Sequence, residues 1–230
     1  MKNKILIFTA TYNESGNIEI FIEKILKLNL QIDILIIDDN SPDKTWQIIE
    51  GFQKKQKNIF LIKREKKLGL DTAHKTAYNY ANKNDYDYLI TLDADLSHDP
   101  TIIVHFIEEL KKNSFVIGSR YMKGGQNQMT FGRYFLSFFG NKLIKSLLKI
   151  ESDEFTTSYR GFDLKNLKDF DMNDVESKGY SFFMETIFLI HKSGLSIKQI
   201  PIKFKHRQIG SSKIPKIEIF RTLKNLFLMK

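Results

Sequence analysis

The 230-residue sequence has no cysteine and only four prolines. Without cysteine the fold cannot rest on disulfides, and no thiolate can ligate a metal. The absence suits a reducing compartment. Long apolar runs are missing too, since no stretch reaches the roughly 18 consecutive apolar residues that a bilayer-crossing helix needs. The opening Met1-Lys-Asn-Lys leads into an apolar run over residues 5–10, too short for the core of a signal peptide. These absences predict a cytoplasmic chain without a transmembrane domain, soluble or peripheral at the inner face of the membrane.

What is present is a core-forming composition, 42% apolar, with 36 basic against 27 acidic residues and a net charge of +9. That fraction excludes general disorder. The basic excess favours anionic partners such as nucleotides, phospholipid surfaces or nucleic acid, or reflects nothing beyond lysine usage. The positions of the lysines decide between these.

Short β-branched or apolar runs at 4–10, 32–39, 58–64, 88–95 and 114–120 read as buried strands. Between them Ile18, Phe21, Ile22, Ile25 and Leu26 follow helical spacing, as do Ile103, Phe106, Ile107 and Leu110. The alternation predicts an α/β fold with a mostly parallel sheet flanked by helices. Beyond Arg120, residues 123–128 read as a loop, 130–150 and 181–192 as helices, 197–206 as a strand and 216–229 as a basic amphipathic helix. We expect one domain over 1–230, with a nucleotide-binding half at 1–122 and an acceptor-facing half at 123–230.

Polar residues gather where the predicted strands end: Thr9-Ala-Thr-Tyr-Asn-Glu14, Asp38-Asp39-Asn-Ser and Asp93-Ala-Asp95. Ligands of an open parallel sheet bind beyond the carboxyl ends of its strands. Three acidic ends converging there are costly unless a cation or hydrogen-bond donor joins them. Asp93 and Asp95, two residues apart, can direct both carboxylates to one side. Such a pair suits Mg2+ or Mn2+, with diphosphate oxygens and water in the remaining positions. A lone Asp-x-Asp that only caps the following helix is the ordinary alternative.

The segments Ala10-Thr-Tyr-Asn-Glu14, Asp38-Asp-Asn-Ser-Pro-Asp-Lys-Thr45, Asp93-Ala-Asp-Leu-Ser-His-Asp-Pro100 and Gly118-Ser-Arg-Tyr121 resemble the family 2 glycosyltransferases of GT-A fold. Together with Arg133, Ser137 and Asn141, Thr157-Ser-Tyr-Arg160, Gly179-Tyr-Ser-Phe, Glu185, Pro201-Ile-Lys-Phe, Arg207 and Gly210-Ser-Ser-Lys213, they resemble the polyprenol phosphate mannose synthases within that group. The resemblance implies that Ala10, Tyr12 and Glu14 line a nucleoside pocket and that Ile37 and Asp39 contact base and ribose. It implies that Asp93, Ala94 and Asp95 hold the metal and diphosphate, and that Arg120 sits by the donor. Arg207 and Lys213 would grip a diphosphate or the acceptor phosphate, and a guanidinium and an ammonium beside Gly210-Ser-Ser make a flexible anion clamp. Asp95, Arg120, Arg207 and Lys213 are thus the residues expected to serve catalysis. The sequence departs from the family pattern at Ala10, where proline is usual, at Asp71, in a loop over 67–73 where glycine is common, and at Ser97, often a glutamine that can reach the metal and whose place as a further metal ligand a serine hydroxyl or a water would take.

The implied reaction is inverting transfer of mannose from GDP-mannose to a polyprenyl phosphate. A phosphate monoester is already anionic at neutral pH, so it needs positioning and charge screening more than a general base. Glu185 is the candidate base if the acceptor is a hydroxyl. The helices at 130–150 and 213–230 mix aromatic and basic residues as interfacial helices do, or pack on the core. Many relatives continue into transmembrane helices, so a separate membrane protein is an expected partner. The alternatives are a UDP-sugar donor or glycan hydroxyl acceptor, and a non-catalytic nucleotide- or nucleic-acid-binding module. The last predicts exposed aromatics on a sheet face. Here the aromatics fall on helices and the acidic strand ends would repel a polyanion, so no nucleic-acid partner is expected.

Overall fold

The computed structural model describes residues 3–205, 222 and 224–226. Apolar strands β1 (Ile5–Thr11), β2 (Asp33–Asp38), β3 (Ile59–Lys63) and β4 (Tyr88–Thr91) alternate with helices α1 (Ile18–Leu26), α2 (Thr45–Gln53) and α3 (Leu70–Lys83). Helix α4 (Ile103–Leu110) and strand β5 (Phe115–Ser119) follow. The remainder comprises β6 (Gln126–Asn127), α5 (Phe131–Leu148), β7 (Arg160–Asp163), α6 (Tyr180–Lys192), β8 (Ile197–Pro201) and β9 (Lys203–Phe204).

Seven strands form one sheet in the order β3-β2-β1-β4-β7-β5-β8, while β6 pairs with β9. All pairings in the large sheet are parallel except those of β7, which runs antiparallel to both β4 and β5. The expected mostly parallel α/β fold is therefore present. β7 is absent from the sequence-based expectation, because Arg160-Gly-Phe-Asp is too short and too polar to read as a buried strand. It lies between strands from the first 122 residues, so the two halves of the chain share one sheet.

Both sheet faces are covered, as near-continuous apolar strands require. On one face Ile18, Phe21, Ile22 and Ile25 of α1 and Ile103, Phe106 and Leu110 of α4 pack with Ile7, Ile34, Ile36, Ile90 and Val116. On the other, Ala73, Ala77, Tyr78 and Ala81 of α3 and Phe182, Phe183 and Ile187 of α6 pack on Leu6, Phe8, Leu35 and Ile37. Each such large apolar side chain contributes about 1.5–3 kcal/mol against exposure. Gly161 of β7 lets α4 approach: a Cβ there would stand 3.0 Å from Leu110 Cδ1 and 3.1 Å from Phe106 Cδ1. Three expectations are corrected. The run at 88–95 leaves the sheet after Thr91, the stretch around Asp71 is the first turn of α3 and not a loop, and the 123–128 loop contains β6. The reversal in α3 follows from its low apolar content, which hid its Ala73, Ala77 and Ala81 stripe. Of the predicted helix at 216–229, only Thr222 and residues 224–226 are described, and these are helical. No helix among the described residues is long and apolar enough to cross a membrane.

Candidate active site

The parallel register of β1 with β2 and β4 brings their carboxyl ends to one edge, with Thr11 opposite Asp38 and Phe8 opposite Thr91. Asp38 is fully buried, and Thr11 Oγ1 and Ser41 Oγ donate to its Oδ2 at 2.7 and 2.6 Å. The Ser41 backbone N–H donates to Oδ1 at 2.8 Å. Asp38 is thus consumed in shaping the turn after β2. Asp39 is paired instead with Arg64, whose Nη1 donates to Thr72 Oγ1 at 2.6 Å and whose Nη2 donates to the Gly69 carbonyl at 3.1 Å. The Leu68 amide also donates to Asp39 Oδ2, at 3.3 Å. Arg64 therefore fastens the segment leading into α3 against the strand-end turn that carries Asp39. Lys67 Nζ lies 4.4 Å from the centroid of the Tyr12 ring, closing the same corner.

Leu92–Asp95 continue past β4 into a tight turn in which Leu96 has φ 63°. Asp95 is 5% exposed, and both the backbone N–H and the hydroxyl of Ser97 donate to its Oδ1, at 3.0 and 2.6 Å. The Asp93 side chain is 36% exposed. Ser158 Oγ donates to Asp93 Oδ1 at 2.6 Å. His98 accepts at Nδ1 from the Asp93 backbone N–H at 3.3 Å, which leaves the ring proton on Nε2, 3.4 Å from Thr157 Oγ1. Burial lowers the pKa of His98 against the opposing pull of Asp93 and Asp95, in keeping with a neutral ring.

Among the described residues no group of three or more His, Asp or Glu side chains forms a metal cage. The donor set is two carboxylates, one partly exposed, beside a hydroxyl already donated to Asp95. Such a set fits a Mg2+- or Mn2+-type ion that takes its other positions from phosphate oxygens and water.

Arg120 follows β5 and meets Glu154 in a two-point ion pair, Nε to Oε2 at 2.6 Å and Nη2 to Oε1 at 2.7 Å. Both residues are buried. Burial would lift the Glu154 carboxyl, but Arg120 and Thr156 hold it below the usual carboxylate range. Gly125 folds back onto this point, where a Cβ would stand 2.7 Å from the Arg120 carbonyl oxygen.

Of the residues expected at a nucleoside pocket, Ala10 and Tyr12 are half-buried at the end of β1. Glu14 is buried with Asn17 Nδ2 donating to its Oε2 at 2.8 Å. Ile37 has no exposed surface and packs in the core against the α3 face. Ala94 is buried in the opposite core cluster. Glu185, the candidate base, accepts from the backbone N–H groups of Glu176 and Ser177 at 3.3 and 2.7 Å and so holds the turn before α6. Arg207 and Lys213 lie outside the described residues. The chain reaches the site just before them, for the Lys205 N–H donates to the Ser97 carbonyl at 3.0 Å. Sequence reasoning assigns no role to Arg64, Glu154, Thr157 or Ser158. The Thr157-Ser-Tyr-Arg160 motif is the available signal for the last two.

Residues 6–170, more than half of the chain, match the sequence profile of glycosyl transferase family 2. An undecaprenyl-phosphate mannosyltransferase from Micrococcus luteus is 29% identical over 92% of this chain and 87% of its own. A polyprenol monophosphomannose synthase from Mycolicibacterium smegmatis is 28% identical over 92% and 81%. The fold matches glucosyl-3-phosphoglycerate synthase from Mycobacterium tuberculosis, crystallised with Mn2+, UDP and glucosyl-3-phosphoglycerate, at TM-score 0.70 and 14% identity, over 99% of this chain and 78% of that one. It also matches a mannosyltransferase from Pyrobaculum calidifontis in complex with GDP-Man and Mn2+, at TM-score 0.58 and 15% identity, over 94% and 58%.

Proposed function

We propose the reaction of this chain from one premise: it belongs to glycosyl transferase family 2. The reaction is inverting transfer of mannose from GDP-mannose to a polyprenyl phosphate, supported by a divalent cation at Asp93 and Asp95. The observation that carries it is the pair of carboxylates beyond the carboxyl end of β4, one partly exposed and one buried, each oriented by a serine. When bound, the cation screens charge on the departing nucleoside diphosphate. The names of the two mannosyltransferase relatives support mannose and a polyprenyl phosphate. The GDP-Man complex of the Pyrobaculum neighbour supports the guanosine carrier.

In this reading Ala10, Tyr12, Glu14 and Asp39 border the nucleoside, with Ile37 and Ala94 shaping the floor. Arg120 borders the donor while Glu154 holds its Nε and Nη2 edge. Arg207 and Lys213 grip phosphate, and Ser97 acts through Asp95. The engagement of Glu185 by backbone amides suits an acceptor that needs no general base, because a phosphate monoester is already a nucleophilic anion. The anionic oxygen attacks the anomeric carbon as the bond to the diphosphate breaks, and the nucleoside diphosphate leaves with the electron pair.

A lipid-linked phosphate lies at a membrane surface, so the enzyme must dock there. Helix α5 turns Phe131, Phe135, Leu136, Phe139 and Leu143 outward among exposed Arg133, Lys142 and Lys149, the composition of an interfacial helix. The deciding assay incubates the protein and Mn2+ with radiolabelled GDP-mannose or UDP-glucose and a short polyprenyl phosphate, then counts lipid-extractable label. Label is expected from GDP-mannose alone. Label from UDP-glucose alone, or from neither, overturns the assignment.

A further inference from the structure

We propose that Ser158 is a positioning residue for Asp93, setting the direction of its carboxylate toward the cation. The inference rests on the metal reading above and extends it to a residue 65 positions away in sequence. A carboxylate held by a hydrogen bond at one oxygen would present its lone pairs to a cation in a fixed direction, whereas rotation about the terminal bond would otherwise spread them over many. The Ser158 hydroxyl supplies that hold at 2.6 Å, a charge-assisted distance.

Ser158 is itself fixed from three sides. It is 5% exposed, and its carbonyl accepts from Thr91 Oγ1 of β4 at 2.5 Å, so it is tied to the strand from which the Asp93 turn departs. On its N-terminal side the carbonyls of Thr157 and Phe155 accept from Arg160 Nε and Nη2 at 2.8 and 3.0 Å. The guanidinium making those bonds is buried between the rings of Phe115 and Phe183. Asn141 of α5 accepts the Phe155 N–H at 2.7 Å. The segment cannot slide without breaking buried hydrogen bonds, each costly to leave unmade. A hydroxyl needed only for local structure would close a turn on its own backbone. This one crosses to a partly exposed carboxylate at the site.

The test is Mn2+ titrated into the full chain at saturating GDP, with free Mn2+ read by electron paramagnetic resonance. Ser158→Ala is expected to weaken Mn2+ binding by about tenfold or more, as loss of a ligand-orienting partner does. Its melting temperature and its metal-free GDP binding should match the parent. Unchanged Mn2+ affinity overturns the inference, as does a fall in melting temperature without one in affinity. Asp95→Asn, run in parallel, separates the two levels: if that variant binds Mn2+ normally, the metal reading itself has failed. Should Ser158→Ala not fold, the near-isosteric Thr91→Val loosens the Ser158 peptide. The same weakening of Mn2+ binding is then expected, and its absence overturns the inference.

Discussion

The guanidinium of Arg120 forks onto the carboxylate of Glu154, with contacts of 2.6 and 2.7 Å and both groups out of water. A buried pair gives little net stability when intact, yet removing one partner strands a charge and costs roughly 3–5 kcal/mol. Glu154→Ala should therefore lower the melting temperature by about 10 °C for a chain of this size. Glu154 also carries a pH signature. Its folded pKa is depressed below 4.5, so its contribution is present above that value and is lost as pH falls through the folded pKa. Acid unfolding of the parent should show this component and Glu154→Gln should lack it, as followed by circular dichroism.

Asp95→Asn should reduce transfer by at least about a hundredfold, the scale on which a single charge-stabilising group acts. The amide keeps an oxygen to accept from the Ser97 N–H and hydroxyl. The turn should therefore survive, and circular dichroism should match the parent. A variant of normal activity removes Asp95 from the metal site.

His74 offers a second pH test, remote from the metal turn. It is enclosed by the rings of Phe8, Phe182 and Phe183, and burial, aided by nearby Arg160, pushes its pKa down to about 3. Its neutral form is thus favoured on folding. The contribution is fully present above the unfolded value near 6.5 and falls by about 1.4 kcal/mol per pH unit as pH drops toward 3. Urea unfolding at pH 6, 5 and 4 should approach that slope in the parent and show a shallower one in His74→Phe.

The sequence announced the first five strands of the sheet because each is a short apolar run between turn signals, and Asp93 and Asp95 because their spacing follows a strand. It hid α3, whose inward stripe is alanine, and β7, whose four residues include Arg160 and Gly161. It also hid the partners of the site. Ser158 reaches Asp93 and Glu154 reaches Arg120 only because β7 inserts between β4 and β5, a pairing across some seventy residues that no local pattern encodes. The family resemblance implies that Ile37 contacts the nucleoside. Strand alternation turns its side chain into the core, a burial that the motif alone does not reveal.

Helix α5 yields the test of membrane docking. Phe131 is 81% exposed, Phe135 52% and Phe139 49%, while only Asn141 and Ile144 of this helix are buried among the described residues. A helix of 18 residues with its aromatic side turned outward gains by laying that side into a lipid interface, and Lys142 and Lys149 would stay with the headgroups. Replacing Phe135 and Phe139 by serine forfeits about 1 kcal/mol or more for each partly exposed ring, so partitioning onto vesicles with anionic lipid should weaken by about tenfold or more. Raising salt should weaken the parent as well, because the basic contribution is screened. Transfer to a short, water-soluble polyprenyl phosphate should be unchanged in the double variant, since neither ring is placed at the metal turn. Equal vesicle binding by parent and variant would assign the face to some other contact, whereas loss of transfer to the soluble acceptor would place these rings at the acceptor site.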